Sequence, residues 1–212
     1  MKKGAPSQAF KGTSQPKPED IYKGQKPALA DDSKLFTPYA PQANIFQLGS
    51  WNGESGSSAD NSKKDFTYAA FNALDRLKAD VKIVMVEVSS NSIAAALGRL
   101  NTYYSNDAQT IFAGRASFAG DRSSMFPESK IIKVETKAAA AKDGNSLAKI
   151  VGIKLETDQG KATSWPNRYD AITDAQMVSE SAPAGGWELK GWYGADTATY
   201  LVRLGPIWGK SA

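Results

Sequence analysis

Between residues 81 and 208 the chain consists of short apolar runs separated by turn residues, and this succession constrains the fold more than any other feature. The clearest pair of runs is 148–157 and 161–165, which are joined by Asp158-Gln159-Gly160, a sequence typical of a β-hairpin turn. Many short strands with turn signals and little helical periodicity are typical of a β-sandwich, barrel or prism. The sequence therefore predicts an all-β fold.

Further strand candidates share β-branched and aromatic residues. They are found at 44–48, 81–88, 96–104, 109–113, 130–136, 187–193 and 199–208. Residues 66–78 are ambiguous, because their apolar residues also fit one face of a helix, which would be a short insertion in a β fold. The sequence leaves helix and strand open for this segment.

Three compact apolar strands, each followed by a turn, recur at intervals of roughly fifty residues, as expected of repeated β units. They are 96–100, 150–155 and 201–207. This spacing suits three sheets related by a pseudo-threefold axis.

The chain contains no cysteine and no histidine. Their absence excludes a Ser-His-Asp triad, a histidine general base, a cysteine nucleophile, disulfides and zinc sites built from these residues. We therefore expect a protein that is not an enzyme, with no catalytic residue, no cofactor and no metal.

The first 43 residues are rich in lysine and proline and poor in aliphatic residues. Such a composition does not bury enough apolar surface to offset chain entropy. We predict a flexible N-terminal arm at 1–43 and one domain at 44–212. The lysines of the arm form a solvated tail or, alternatively, contact phosphate or an acidic surface.

The net charge of +4 is small for a nucleic-acid-binding protein, which usually carries a denser basic patch. We expect no nucleic-acid partner. No apolar run approaches the roughly 18 residues of a membrane helix, so we expect no membrane span. The sequence after Met1-Lys2-Lys3 lacks the apolar region of a signal peptide, and the compartment stays open.

Residues 130–208 carry a sequence order that resembles the C-terminal half of jacalin-related lectins. A strand at 130–134 precedes Ile150-Val151-Gly152-Ile153-Lys154-Leu155 and its turn, and the segments 187–194 and 200–205 follow. Residues 93–104 resemble an earlier strand of the same family. The resemblance implies a β-prism of three short antiparallel sheets and a shallow sugar site formed by loops at one end.

In that family the sugar site combines a glycine-rich N-terminal loop with a Gly-x-x-x-Asp stretch before the last strand. The resemblance assigns the first part to 49–53, with Gly49, Trp51 and Asn52 as ligand residues. The second part corresponds to 198–202, which contains Tyr200 as a further candidate.

This second part departs from the family pattern, because the glycine is replaced by Ala198 and the sugar-binding aspartate by Val202. Valine supplies no acceptor for a sugar hydroxyl. Asp196 in the same loop is the predicted substitute.

A second candidate loop at 165–170 combines aromatic and polar residues. Aromatic faces stack on sugar rings and amides bond hydroxyls, so Trp165, Asn167 and Tyr169 are also predicted ligand residues. The alternative is a loop packed by its own aromatic residues.

These features predict a carbohydrate-binding recognition protein whose partner is a glycan or a glycosylated surface. An alternative is a structural or assembly subunit in which the prism and the N-terminal arm contact protein partners or further copies of the chain. A third interpretation is the targeting domain of a pore-forming toxin that acts with a separate partner.

Overall fold

The computed structural model describes residues 46–53, 69–73, 77, 80–91, 95–105, 110–114, 122–140, 148–197 and 199–210. These residues form thirteen β-strands and a short 3-10 helix, Tyr169–Ala171. In chain order the strands are β1 (Phe46–Leu48), β2 (Asn52–Gly53), β3 (Ala69–Asn72), β4 (Ile83–Asn91), β5 (Ala96–Tyr104), β6 (Ile111–Ala113), β7 (Arg122–Met125), β8 (Ile131–Ala139), β9 (Lys149–Thr157), β10 (Ala162–Trp165), β11 (Gln176–Ser181), β12 (Trp187–Asp196) and β13 (Leu201–Lys210). The predicted arm at 1–43 lies outside the described residues, so the division into arm and domain stays a prediction.

The strands form three antiparallel sheets. Sheet A has the order β1-β13-β12-β3, with β2 also paired to β13. Sheet B has the order β6-β5-β4-β7, and sheet C has the order β10-β9-β8-β11. The predicted all-β class and three-sheet arrangement are confirmed.

The three repeated segments occupy equivalent places in the fold. They lie in β5, β9 and β13, and each of these is a central strand of its own sheet. The three strands also contact one another, which places them around the middle of the prism. The repeat at intervals of about fifty residues is therefore the sequence counterpart of the three sheets.

The core lies between the inward faces of the sheets. Leu100 of sheet B, Ile153 of sheet C and Leu204 of sheet A are all 0% exposed. Burying each such side chain contributes about 1.5–3 kcal/mol relative to leaving it in water. A polar link also crosses the core, because the Trp192 indole N–H donates to Thr102 Oγ1 at 3.1 Å.

A buried ion pair lies in β12 beside a register irregularity between Leu189 and Gly191. Lys190 Nζ lies 2.6 Å from Glu188 Oε1, and the two side chains are 1% and 5% exposed. The same ammonium group donates to the carbonyl oxygen of Val81 at 2.6 Å. The pair therefore fixes the start of β12 to the segment that leads into sheet B.

The ambiguous segment 66–78 contains a strand. Residues Ala69–Asn72 form β3, and they pair with the end of β12. Ala73 and Leu77 are buried, and a Cβ at Gly191 would lie 3.2 Å from each of them. The strand interpretation is thus confirmed for 69–72, while 66–68, 74–76 and 78 lie outside the described residues.

Candidate functional site

The glycine-rich loop packs against the end of sheet A where β12 turns into β13. Gly53 pairs with Arg203, and a Cβ at position 53 would lie 2.1 Å from the carbonyl oxygen of Val202. The φ angle of Gly53 is +117°, a conformation that side chains rarely adopt. Glycine at 53 is therefore what allows the loop to reach the β12–β13 turn, so the two parts predicted from the resemblance do meet.

Gly49 begins this loop, and its backbone is hydrogen-bonded to the rest of the fold. Its N–H donates to the carbonyl oxygen of Pro206 at 2.8 Å, and its own carbonyl accepts the Tyr193 hydroxyl. A Cβ at 49 would lie 2.6 Å from Pro206 Cγ. Both backbone polar groups of Gly49 thus have protein partners, and its predicted contact with a ligand gains no support from its placement.

Asn52 joins the glycine-rich loop to sheet C. Its Nδ2 donates to the carbonyl oxygens of Thr136 and Gln176, both at 2.9 Å. Its Oδ1 accepts the N–H of Gly53 at 2.8 Å, and the residue is only 2% exposed. The amide that the sequence assigned to a sugar therefore connects two sheets instead. The loop that precedes Gln176 is held at the same end of the prism.

We expect replacement of Asn52 with alanine to destabilise the fold by about 1–3 kcal/mol, because the buried carbonyl of Thr136 and the half-buried carbonyl of Gln176 lose their donor. Chemical denaturation of the wild type and the variant measures this difference. Replacement of the exposed Asn167 is the matched control and should leave the free energy of unfolding unchanged within about 0.5 kcal/mol. An equally small effect at Asn52 would contradict its role as a connector.

The β12–β13 turn is held by Thr197. Its Oγ1 accepts the N–H groups of Thr199 and Tyr200, both at 3.1 Å, and its own N–H donates to the carbonyl of Tyr200 at 2.9 Å. Thr199 is exposed and Tyr200 is half-buried. The turn therefore presents one hydroxyl and one aromatic ring at a fixed position.

The residue that replaces the family aspartate and the aspartate predicted to substitute for it are both buried. Val202, which replaces the family aspartate, is 0% exposed. Asp196 is 1% exposed and lies in β12, not in the loop as the sequence suggested. Its carboxylate is therefore not open to a ligand in this structure, and the idea that it replaces the family aspartate stays an untested prediction.

Trp51 is the aromatic residue of the glycine-rich loop, and it is half-buried. The Arg203 guanidinium carbon lies 3.8 Å from the centre of its ring, and Arg203 is 0% exposed. This cation–π contact fixes one face of the indole against β13. Arg203 lies in the predicted strand 199–208. The sequence did not predict its contact with Trp51, because nothing in the residues of a strand indicates that a charged side chain will pack on an aromatic ring from a distant loop.

The second predicted loop packs its aromatic residues inward, as the alternative interpretation proposed. Trp165 is 3% exposed and Tyr169 is 2% exposed. Lys137 Nζ lies 4.4 Å from the centre of the Tyr169 ring and donates to the carbonyls of Tyr169 and Ile172 at 2.9 and 2.8 Å. Sequence reasoning missed Lys137, because a lysine within a strand usually faces solvent.

The Tyr169 phenol is uncharged in this environment. Burial raises its pKa above the ordinary value, and the carboxylates of Glu135 and Asp170 raise the pKa further. The ring also covers the backbone of Gly152, where a Cβ would lie 2.8 Å from Tyr169 Cδ2. Tyr169 is thus a neutral packing residue on sheet C.

Three of the eight predicted ligand residues have exposed surface, namely Trp51, Asn167 and Tyr200. Trp51 and Tyr200 flank the junction of β2 with β13. Asn167 lies in the loop between β10 and β11, and Asn52 donates to the carbonyl of Gln176 at the end of that loop. Within the described residues, no group of three or more acidic side chains is arranged to hold a metal ion. The same part of the chain contains no helix that is long and apolar enough to cross a membrane.

No protein-family model matches the sequence, and no curated protein matches it either. Several solved structures are similar in fold. Frutapin, a lectin from Artocarpus incisa, has a TM-score of 0.54 at 13% sequence identity, with 78% of this chain and 97% of the lectin covered. AcmJRL, a mannose-binding jacalin-related lectin from Ananas comosus, has a TM-score of 0.50 at 12% identity, with 78% and 98% covered.

The fold is also similar to part of a longer protein. PirB has a TM-score of 0.54 at 14% identity, and the similarity covers 79% of this chain but only 39% of PirB. Sequence identities at this level establish architecture and leave the chemistry of the site to be argued from the residues. The three antiparallel sheets and these similarities together show that the chain has the jacalin-like β-prism fold.

Proposed function

We propose that this chain is a non-enzymatic, lectin-like recognition protein that binds carbohydrate at the end of the prism where β2 meets the β12–β13 turn. The observation that carries the proposal is Trp51, a half-buried indole held by Arg203 on the loop that closes against this turn. The lectins of similar fold support carbohydrate as the ligand class, and AcmJRL is described as mannose-binding.

The site suits a sugar because it combines a rigid ring with neutral polar groups. A pyranose presents an apolar C–H face that stacks on an indole, and its hydroxyls accept and donate hydrogen bonds. The exposed Thr199 and the half-buried Tyr200 supply a hydroxyl and a second aromatic ring on the β12–β13 turn. The exposed Asn167 supplies an amide on the loop that leads to Gln176, whose carbonyl accepts from Asn52. Each neutral polar contact of this kind contributes about 0.5–1.5 kcal/mol, less than a charged acceptor gives. We therefore expect weak binding of single sugars.

We expect the wild type to bind at least one glycan class on a broad array, and Trp51→Ala to weaken that binding at least about tenfold by removal of the stacking ring. Calorimetry with the best ligand measures the change. Phe112→Ala is the matched control, because Phe112 is an aromatic residue that is 48% exposed on another sheet. If the wild type binds no sugar class on the array, the proposal is overturned.

A second candidate function is assembly, and an apolar area on the outer face of sheet B favours it. Tyr103, Met85 and Met125 form one cross-strand row, and Met125 is 63% exposed. Phe112 lies on the neighbouring strand, with the Arg99 guanidinium carbon 4.9 Å from its ring centre. Aromatic residues, methionine and arginine are enriched in protein interfaces. This area fits contact with a second copy of the chain.

If this assembly forms, the wild type should sediment as an oligomer at high concentration. A Phe112→Lys/Met125→Lys variant should sediment as a monomer, because two lysines in the contact oppose its burial. Lys154→Met, on the outer face of sheet C, is the control. A wild type that stays monomeric at every concentration, with and without residues 1–43, would count against self-assembly through the prism and through the arm.

A further inference from the structure

A cleft lies between sheets B and C, at the opposite end of sheet C from the candidate loops. It has a volume of about 300 Å³ and lies where the edge strands β7 and β10 face each other. Ser124 Oγ and Thr163 Oγ1 are 2.8 Å apart and share a hydrogen bond between these strands. This hydrogen bond fixes the separation of the two cleft walls.

The rest of the cleft is also held by the protein itself. The β9–β10 turn is tied to the segment before β8, because Asp158 N donates to the Lys130 carbonyl at 2.9 Å and Lys130 N donates to Asp158 Oδ1 at 3.0 Å. On the other wall, Lys82 Nζ donates to the carbonyl of Pro127 at 2.6 Å. Because these walls are preformed, a ligand would not have to order them.

The lining of the cleft combines an apolar surface with polar groups of several kinds. Phe126 is buried beneath it, and Pro127 and Met125 are exposed at its rim. Glu128 supplies a carboxylate and Lys161 an ammonium group, and both side chains are exposed. The remaining polar lining comes from hydroxyl and amide side chains, among them Gln159 and Ser129.

The two edge strands add backbone groups. Phe126 N donates to the Val84 carbonyl, and Thr157 N donates to the Lys161 carbonyl. Backbone groups in an antiparallel strand alternate in direction, so those of Met125 and Ala162 point away from the partner strands and out of the sheet edges. In the described part of the chain, β7 and β10 have no further strand on these sides. Donors and acceptors of the main chain therefore face the cleft.

We propose that this cleft is a second saccharide site, which takes one sugar ring of a neutral glycan. The proposal rests on the carbohydrate-binding function proposed above and places a further site far from the Trp51 loop. A volume near the lower end of ligand pockets favours a small ligand. Glu128 and Lys161 carry opposite charges, so an ionic ligand meets one like charge, whereas a neutral polyol uses both as hydrogen-bonding partners.

Titration of the isotope-labelled wild type with the methyl glycosides of mannose, glucose, galactose and N-acetylglucosamine, followed by amide NMR shifts, tests this site. We expect saturable shifts at 124–129 and 157–163 for at least one of them. In a Glu128→Gln/Lys161→Met variant the affinity read from these shifts should fall at least tenfold. Lys154→Met removes a neighbouring lysine outside the cleft and should leave the affinity unchanged.

The position of the shifts separates the two proposals. Shifts at the cleft together with shifts at 49–53 and 197–203 support both sites, and shifts at the cleft alone support the cleft without the Trp51 site. Shifts confined to 49–53 and 197–203, or cleft shifts that the double variant leaves unchanged, overturn the cleft and leave the proposed function standing. No shift with any of the four glycosides overturns the cleft and leaves the Trp51 site to the glycan array.

Discussion

Replacement of Lys190 with methionine is expected to lower the free energy of unfolding by about 3–5 kcal/mol, the usual cost of removing one partner of a buried ion pair. The methionine keeps most of the apolar stem but removes the ammonium group, which leaves the Glu188 carboxylate, 5% exposed, without its counter-charge. The Val81 carbonyl also loses a donor. Urea denaturation of the wild type and the variant measures the loss.

Two further variants separate the ion pair from general effects of losing a lysine. Lys154→Met breaks a surface contact, because Lys154 and Asp170 lie 3.9 Å apart with side chains 31% and 89% exposed. Such a pair contributes about 0–1 kcal/mol. A Glu188→Leu/Lys190→Met double variant should recover part of the lost stability, because no charge stays buried. A single Lys190 variant as stable as Lys154→Met would show that the pair is not a structural element.

Replacement of Gly53 with alanine is expected to cost about 2–5 kcal/mol, from about 1–2 kcal/mol for the positive φ angle and about 1–3 kcal/mol for overpacking. The added Cβ would lie 2.1 Å from the Val202 carbonyl oxygen, so β2 has to move away from β13. Because Trp51 is two residues earlier, we also expect the variant to lose glycan binding. Denaturation and calorimetry with the same ligand measure the two effects.

Gly160 provides the matched control for Gly53. Its φ angle is +73°, but a Cβ there would have no neighbour within 4 Å. Gly160→Ala is therefore expected to lower the free energy of unfolding by about 1–2 kcal/mol from the positive φ angle alone, with no added steric clash. Equal losses of stability in the two variants would mean that contact with Val202 does not limit position 53, and that β2 has room to shift.

The strands that the sequence predicted are those with an apolar inward face. Residues 96–104 and 148–157 were predicted almost to their boundaries, because both stretches are rich in apolar residues and are followed by turn residues. The repeat at intervals of about fifty residues was informative for the same reason, since each copy is a central strand that contributes to the shared core.

The strands that the sequence missed are short or polar edge strands. β7 reads Arg-Ser-Ser-Met and β11 reads Gln-Met-Val-Ser-Glu-Ser, and neither shows an apolar alternation. Each pairs with a single neighbouring strand, so backbone hydrogen bonds, not side-chain burial, define it. β2 has only two residues, and it exists because Gly53 permits a close approach.

For the candidate site, the sequence identified the loops better than the side chains. The glycine-rich loop and the β12–β13 turn meet, as the resemblance to jacalin-related lectins implied. Tertiary contacts decide which side chains are buried, and so Asn52, Asp196 and Tyr169 face inward although their polar groups suggested ligand contacts. Lys137 and Arg203 were missed for the reverse reason, because buried cations are rare.

The pairing of β1 with β13 has a consequence for biosynthesis. Sheets B and C are each built from one continuous stretch, 83–125 and 131–181, so both can form while the chain is still being translated. Sheet A pairs Phe46 of β1 with Gly209 of β13, so it cannot form until β13 has left the ribosome. Until then the inward faces of sheets B and C lack their third partner, and a chain that stops before residue 187 exposes them to chaperones and proteases.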